Sequence, residues 1–136
     1  MMQSHMSVGI DLVQVSRVAA SLEQFGERFL RRVFTDAEVA YANAAPALTV
    51  ERLAARFAAK EAAVKALGLV ERGVGWRQIE VTREESGMCR LSLHGAARDA
   101  AAEAGVVELA LSLSHEGDYA TAVVFAMRNG QEAAHP

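Results

Sequence analysis

Cysteine is the scarcest chemically reactive residue in this 136-residue chain, which has only Cys89. One cysteine excludes an internal disulfide framework and any zinc site built from several cysteines. Cys89 alternates with Leu91 and Leu93, a pattern that predicts a buried, unreactive thiol in a strand. Aromatic residues make up only 6% of the chain, so alanine and the aliphatic residues must supply most of the packing in the core.

A positive charge excess and long apolar runs are also missing. The net charge of −3 argues against a general nucleic-acid binder, which would carry a basic excess. No apolar run approaches the ~20 residues that span a bilayer, and no secretory signal follows the start. We therefore expect a cytoplasmic protein that binds neither nucleic acid nor membrane.

Several familiar site motifs are absent as well. The chain contains no P-loop, no G-x-G-x-x-G after a strand and no G-x-S-x-G elbow, which argues against sites for nucleoside triphosphates, dinucleotides and acyl-hydrolase nucleophiles. The histidines are too scattered for a zinc motif. They are His5, His94, His115 and His135.

The pattern of hydrophobic residues predicts a single α+β domain over residues 7–127, with flexible termini at 1–6 and 128–136. We expect a small antiparallel sheet packed against a long central helix. Predicted strands cover 8–13, 76–83, 88–93, 107–114 and 119–127; predicted helices cover 16–25, 27–34, 35–43, 49–67 and 96–104. Ser16 and Thr49 are predicted N-caps, and Thr35 with Glu38 has the spacing of a capping box.

Three charged residues stand out within these elements. Asp11 lies in an apolar strand, where aspartate is disfavoured, and Glu61 and Lys65 lie one turn apart on the central helix. Two carboxylates that leave room for water and phosphate oxygens are typical of a magnesium site, and an ammonium beside them suits a polyphosphate ligand. The alternatives are a turn or cap role for Asp11 and a plain surface ion pair between Glu61 and Lys65.

Three segments stand out as motifs: Val8-Gly9-Ile10-Asp11-Leu12 followed by Arg17, RFAAKEAAVKALG at 56–68, and Leu113-Ser114-His115-Glu116. Together they resemble the motifs of the holo-acyl-carrier-protein synthases, a family of 4′-phosphopantetheinyl transferases. The first resembles the family's opening G-[IV]-D-x-x-x-[IV]-x-R, the second its central F-[SA]-A-K-E-[SA]-x-x-K-[AV]-[LF]-G, and the last its third motif. The resemblance runs in family order from Val8 to about Val124. It departs at Met88-Cys89, where members commonly have a proline after the glycine.

The resemblance implies transfer of 4′-phosphopantetheine from coenzyme A to a serine of an apo carrier protein, which releases adenosine 3′,5′-bisphosphate. Asp11 and Glu61 would ligate Mg²⁺, Glu61 would also accept the serine proton, and Lys65 would neutralise charge on phosphate oxygens. The implied coenzyme-binding residues are Arg56, Ser114 and His115. For Lys60 two alternatives remain, contact with nucleotide phosphate or exposure to water.

The resemblance also implies a homotrimer in which the coenzyme lies between neighbouring subunits. A mainly apolar second face of the C-terminal sheet, with Val123, Phe125 and Met127, agrees with such an assembly. The locally basic segment predicts a docking face for an acidic carrier protein, against the alternative of scattered surface charge. Its residues are Arg17, Arg28, Arg31 and Arg32.

Other functions remain open at this point. The carrier could belong to a polyketide or nonribosomal peptide synthase instead of fatty-acid synthesis. A non-enzymatic nucleotide-binding domain of the same fold is a further alternative, although it predicts loss of Asp11, Glu61 or Lys65, and all three are present.

Overall fold

The computed structural model describes residues 5–129, and they form the α+β fold that the sequence predicts. The strands are β1 (Met6–Gln14), β2 (Ile79–Arg83), β3 (Cys89–Leu93), β4 (Val106–Glu116) and β5 (Tyr119–Arg128). The helices are α1 (Val15–Phe25), α2 (Glu27–Val33), α3 (Asp36–Asn43), α4 (Thr49–Leu67) and α5 (Gly95–Glu103). Short 3₁₀ turns at Pro46–Leu48 and Trp76–Gln78 precede α4 and β2.

The strands form two antiparallel sheets. In the larger sheet β5 lies between β1 and β4, and β2 pairs with β3 in a separate hairpin. The helix α4 packs across one face of the larger sheet, and we call this the inner face. The scarcity of aromatic residues shows in this contact, because the side chains on both sides of it are small. The buried residues are Ala120, Ala122, Val124 and Ala126 from β5, and Ala58, Ala59, Ala62, Ala63 and Ala66 from α4.

Gly9 sets the distance between β1 and α4. A Cβ atom at this position would lie 2.1 Å from the carbonyl oxygen of Ala62 and 2.8 Å from the amide nitrogen of Ala66. Only glycine lets the two backbones approach this closely. Asp11, two residues further along the same face of β1, is thereby brought up to α4.

The opposite face of the larger sheet, which we call the outer face, is apolar and exposed. On β1 the exposed side chains include Val8, Ile10 and Leu12, each more than half accessible, and on β5 they include Phe125 and Met127. The more aliphatic face of β1 is therefore the one that the rest of residues 5–129 leaves uncovered. An apolar surface of this kind marks a site of protein association.

The N-termini of the helices show which predicted N-caps the structure confirms. The capping box is confirmed: the hydroxyl of Thr35 accepts from the Glu38 amide, and the Glu38 carboxylate accepts from the Thr35 amide. The cap at Ser16 is wrong, because Ser16 lies inside α1 and donates its amide (2.9 Å) and hydroxyl (2.6 Å) to the carboxylate of Asp118 in the β4–β5 turn. The cap at Thr49 is also wrong: Leu48 holds that position, and Thr49 donates to the carbonyl of Ala42.

The ordered region extends beyond the predicted domain limits. Met6 begins β1 and Arg128 ends β5, and the Arg128 amide donates to the carbonyl of His5. Met6 and Arg128, which were assigned to the flexible termini, therefore lie in strands, and residues 1–4 and 130–136 of those termini lie outside the described residues. No helix within 5–129 is long and apolar enough to cross a membrane.

Candidate active site

Asp11, Glu61 and Lys65 meet where β1 crosses α4. The ammonium of Lys65 donates to the Ile10 carbonyl at 2.9 Å and to the Asp11 carboxylate at 3.2 Å, so that it ties the helix to the strand. Glu61 lies one turn earlier on α4. The structure thus brings together the three residues that the sequence places in catalysis.

The charges of Asp11 and Lys65 both affect the pKa of Glu61. Partial burial raises the pKa of the Glu61 carboxyl, the neighbouring charge of Asp11 raises it further, and Lys65 opposes both effects. The net pKa lies above the ordinary value of a glutamate. Glu61 is therefore a stronger base than a surface glutamate, and its charge is under-compensated by the protein.

A pocket of about 460 Å³ opens beside this pair, and we call it the acidic pocket. Its floor is apolar, from Val18, Phe29 and Phe57, and its rim carries Gln14, Arg17 and Tyr119 in addition to the two acids. It is large enough for part of a coenzyme or an inserted side chain.

The acidic pair fits a magnesium ion by its chemistry. Both donors are carboxylates, they are close enough to repel each other, and they border an open pocket. Residues 5–129 contain no group of three or more side chains of the His, Cys, Asp and Glu types that could hold a metal. A bound magnesium ion would therefore keep coordination positions for water and substrate oxygens, as this ion usually does.

Lys60, the neighbour of Glu61, has a different role from either alternative given above. Its ammonium is fully buried and pairs with the Glu38 carboxylate at 2.8 Å. It also donates to the carbonyls of Trp76 and Ile79. Contact with nucleotide phosphate and exposure to water are both wrong for Lys60, because its donors are used inside the protein to join α3, α4 and β2.

Arg56, Ser114 and His115 line a second pocket, of about 370 Å³, which we call the arginine pocket. The structure brings together these three predicted coenzyme-binding residues. It adds Tyr41, Arg52 and Arg83, which the sequence reasoning missed. The sequence could have indicated Arg52, because it lies one helical turn before Arg56 on α4. Tyr41 and Arg83 lie on other elements, and no sequence pattern indicated them.

Cys89 forms part of the wall of the arginine pocket. It is half-buried where the sequence predicted a buried thiol, and its inertness stays a prediction.

The acidic pocket and the arginine pocket share no lining residue. Arg56 and Glu61 both lie on α4, but at 3.6 residues per turn their side chains leave the helix about 140° apart. Within one chain, α4 therefore has the predicted coenzyme-binding residue Arg56 on one side. The predicted catalytic residue Glu61 lies on another side of the same helix.

The basic segment lies beside the acidic pocket. Arg17 is exposed on α1 at the rim, and α2 contributes Phe29 to the floor. Arg28, Arg31 and Arg32 are exposed on α2, and Arg31 pairs with Glu27 at 3.0 Å. Arg17 and Phe29 of α2 thus line the same pocket, and the role of the four arginines in docking stays a prediction.

The chain belongs to the 4′-phosphopantetheinyl transferase superfamily, whose family model matches residues 7–124. It is an enzyme of the transferase class. The holo-[acyl-carrier-protein] synthase of Koribacter versatilis is 48% identical over 120 residues, which cover 88% of this chain and 95% of that protein. The holo-[acyl-carrier-protein] synthase of Herpetosiphon aurantiacus is 43% identical over 126 residues, 88% of this chain and 96% of that protein.

Solved structures show the same fold. The ACPS–CoA complex of Chronobacterium ammoniagenes matches with a TM-score of 0.83 at 37% identity, over 93% of this chain and 99% of that chain. The holo-[acyl-carrier-protein] synthase of Helicobacter pylori in complex with coenzyme A matches with a TM-score of 0.76 at 25% identity, over 88% of this chain and 98% of that chain. The family predicted from the three sequence motifs is confirmed.

Proposed function

We propose that this enzyme transfers 4′-phosphopantetheine from coenzyme A to a serine of an apo acyl carrier protein, in a Mg²⁺-dependent reaction that releases adenosine 3′,5′-bisphosphate. The observation that carries the proposal is the meeting of Asp11, Glu61 and Lys65 at the crossing of β1 and α4. The names of the relatives and the coenzyme A complexes among the related structures support it. We keep the cytoplasm as the predicted location.

In this mechanism Glu61 accepts the proton of the carrier serine, directly or through water. The serine oxygen then forms a bond to the β-phosphorus of the coenzyme, and the bond from that phosphorus to the bridging oxygen breaks. Because the pKa of Glu61 is raised, its carboxylate takes up the proton more readily than an ordinary glutamate. Asp11 and Glu61 are the residues that would hold the magnesium ion, which supplies Lewis-acid polarisation of the diphosphate when bound.

Lys65 compensates negative charge at the phosphate. Its ammonium is half-exposed and already points at Asp11, so a phosphate oxygen can reach it without burial of a new charge. Arg56, Ser114 and His115 bind the nucleotide end of the coenzyme in the arginine pocket.

Mass spectrometry of an apo carrier protein incubated with coenzyme A tests the reaction. We expect a mass gain of one phosphopantetheine that requires Mg²⁺ and is lost in Asp11→Asn. A carrier that gains no mass, or that gains it equally in the Asp11→Asn variant with a chelator present, would refute the proposal. Parallel assays with fatty-acid, polyketide and peptide-synthase carriers distinguish the main function from the alternative of a carrier-dedicated transferase.

The proposed homotrimer explains two features that a single chain leaves unexplained. The outer face exposes Val8, Ile10, Leu12 and Phe125, and the acidic and arginine pockets lie on different sides of α4. Association through the outer face would bury this apolar surface, and the arginine pocket of one subunit could then serve the acidic pocket of the next.

Sedimentation equilibrium tests the assembly. We expect the unmodified protein to sediment as a trimer and Ile10→Lys, which places a charge on the outer face, to sediment as a monomer. The matched control is Val107→Lys, at an exposed valine outside this apolar group. A monomer before any substitution would exclude the trimer.

The basic segment is the proposed docking site for the acidic carrier. Arg17 is the most informative member, because it borders both this surface and the acidic pocket. Charge reversal at Arg28 should slow carrier modification at low salt and leave coenzyme binding unchanged. Unchanged carrier kinetics at low salt would argue against this docking site.

A further inference from the structure

Cys89 faces Arg83 across the β2–β3 hairpin. The two residues are directly opposite each other in the antiparallel register, so their side chains share one face of the hairpin. Both lie in the wall of the arginine pocket. Because the thiol is only half-buried, a small solute that enters this pocket meets its sulfur.

Two further arginines reach the same pocket. The guanidinium carbons of Arg52 and Arg56 lie 4.1 and 4.2 Å from the ring centroid of Tyr41, and that of Arg83 lies 5.6 Å from it. Arg52 donates to the Tyr41 carbonyl at 2.8 Å, and Arg83 donates to the Tyr41 hydroxyl at 2.7 Å. Tyr41 thus holds three guanidinium groups in the pocket that contains Cys89.

The positive charges of these arginines have little compensation from the protein. Within residues 5–129, none of the three has a carboxylate oxygen within 4 Å of its guanidinium nitrogens. Glu51 lines the pocket without pairing with them, and the Glu38 carboxylate is occupied by Lys60. The pocket therefore carries an excess of positive charge, which attracts small anions to the thiol.

Arg56 lacks a partner at one of its nitrogens. Arg56 is only 3% exposed, and its buried Nε finds no hydrogen-bond partner among the residues that the structure describes. Burial lowers the pKa of the Arg56 guanidinium, and Cys89 is the first of the groups whose charge opposes this lowering. A buried guanidinium without a partner is costly, and a negative group attached to Cys89 would offset that cost.

We propose that Cys89 is a site of reversible modification, where a small anionic disulfide, attracted by Arg52, Arg56 and Arg83, forms a mixed disulfide with the thiol. The thiol loses its proton, its sulfur attacks one sulfur of the disulfide, and the bond between the two sulfurs of the reagent breaks. One half stays on Cys89, and the other half leaves as a thiolate that takes up a proton. The sulfur of Cys89 is oxidised and the leaving sulfur is reduced, so no further oxidant is needed. This proposal replaces the sequence-based prediction of an unreactive thiol.

The modification would block the binding of coenzyme, and this part of the inference rests on the proposed function. The arginine pocket holds about 370 Å³, the volume of a site for one small ligand. An anionic group on Cys89 and a phosphate of the coenzyme would also compete for the same guanidinium groups. A thiol reductant removes the attached group and restores the site.

Reaction rates with two aromatic disulfides test the role of the arginines. The chain has one cysteine, so every thiol adduct reports on Cys89. We expect Arg83→Gln to slow the reaction with dianionic dithiobis(nitrobenzoate) by about three- to tenfold and to leave the reaction with neutral dithiodipyridine within about twofold. Arg52→Gln should show the same pattern, and it serves as the test if circular dichroism shows that Arg83→Gln does not fold. Arg72→Gln is the control of equal charge change and should alter neither rate, since Arg72 is exposed outside the pocket and pairs with Glu103.

Mass spectrometry after incubation with glutathione disulfide tests the modification itself. We expect one glutathionyl group per folded chain, none in Cys89→Ser, and its removal by dithiothreitol. A folded protein that gains no such group has the unreactive thiol that the sequence predicts. Arginine variants that slow both aromatic disulfides alike, or slow neither, would show that the positive charges do not guide the reaction. Either result overturns the proposal.

A binding measurement separates this inference from the proposed function. Calorimetry with adenosine 3′,5′-bisphosphate needs no transfer reaction. We expect the glutathionyl group to weaken binding of this nucleotide by about tenfold or more, and dithiothreitol to restore it. Equal binding before and after modification refutes the block. A protein that binds no bisphosphate in either state refutes the proposed nucleotide site, whereas a thiol reaction that depends on Arg83 still supports the modification site.

Discussion

Lys60 and Glu61 are neighbours on α4, and their surroundings are opposite. Lys60 is fully buried, and its ammonium contacts the Glu38 carboxylate and two backbone carbonyls. Glu61 lies at a pocket beside a second acid, with its carboxyl pKa raised by burial and by Asp11. The charge of Lys60 is compensated within the protein, and the charge of Glu61 is compensated only in part, by Lys65.

This contrast separates structural from functional charge. A buried ion pair with every donor matched holds elements together, and nothing remains on it for a ligand to use. An acid held next to another acid costs stability, and such groups persist where a ligand or a reaction uses them. Three substitutions, at Glu61, Lys60 and Gly9, test this contrast one residue at a time.

The largest effect is expected for Glu61→Gln. Loss of the proposed proton acceptor and of a proposed metal ligand should lower kcat for carrier modification by about 10²–10⁴-fold. The variant should nevertheless be at least as stable as the unmodified protein. Kinetics by mass spectrometry and thermal melting check the two statements.

The pH dependence of stability sharpens this prediction. The pKa of Glu61 is higher in the folded state than in the unfolded chain. Between the ordinary glutamate pKa and the raised one, folded Glu61 holds a proton that the unfolded chain has lost. The free energy of unfolding therefore falls as the pH rises through this range, and the full penalty applies above it. Without divalent metal, Glu61→Gln should melt higher than the unmodified protein at pH 7 and lose this advantage below pH 4. A variant that melts lower at pH 7 would contradict this account of Glu61.

Lys60→Met tests the other side of the contrast. It leaves the Glu38 carboxylate buried and unpaired, so we expect a loss of about 3–5 kcal/mol in the free energy of unfolding, measured with urea. Adding Glu38→Gln should recover part of the loss, because the amide can still accept from the Thr35 amide.

The matched control for Lys60→Met is Arg31→Met, which breaks an exposed pair with Glu27. Its expected cost is below about 0.5 kcal/mol. Equal losses for the two variants would show that the Lys60 pair is not the structural tie described above.

Gly9→Ala is expected to cost less stability than Lys60→Met. The added Cβ would collide with the Ala62 carbonyl, and the required shift should cost about 1–3 kcal/mol. Because the shift also moves Asp11 away from α4, kcat should fall by more than the lost stability explains. Gly75→Ala, where a Cβ meets nothing within 4 Å, is the control. Normal kcat in Gly9→Ala would mean that β1 need not lie this close.

Local rules predicted much of this fold. The capping box of Thr35 and Glu38, the glycine end of α4 at Gly68 and the alternation of β5 each depend on residues close in sequence. Asp11, Glu61 and Lys65 could be predicted as candidate site residues because their motifs are also local. The prediction for Ser16 was wrong because its partner Asp118 comes from the far end of the chain.

Contacts between residues far apart in sequence also explain why other residues around the candidate site were not predicted. Glu38 was predicted only as a capping residue, yet its carboxylate also pairs with Lys60 and accepts from the Val81 amide at 2.7 Å. Lys60 looks like any lysine of an exposed helix until its partners on α3 and β2 are in place. Tyr41 and Arg83 join Arg56 only through tertiary packing, which hydrophobic periodicity does not encode.

The position of β5 has a consequence for biosynthesis. β5, which lies between β1 and β4, is the last strand in sequence order within residues 5–129, so β1 has no paired strand until β5 has been synthesised. Such long-range pairing slows folding. A nascent chain stalled before Tyr119 would expose the alanine surface of α4 and the unpaired backbone edge of β1 together, and we expect chaperones to bind it.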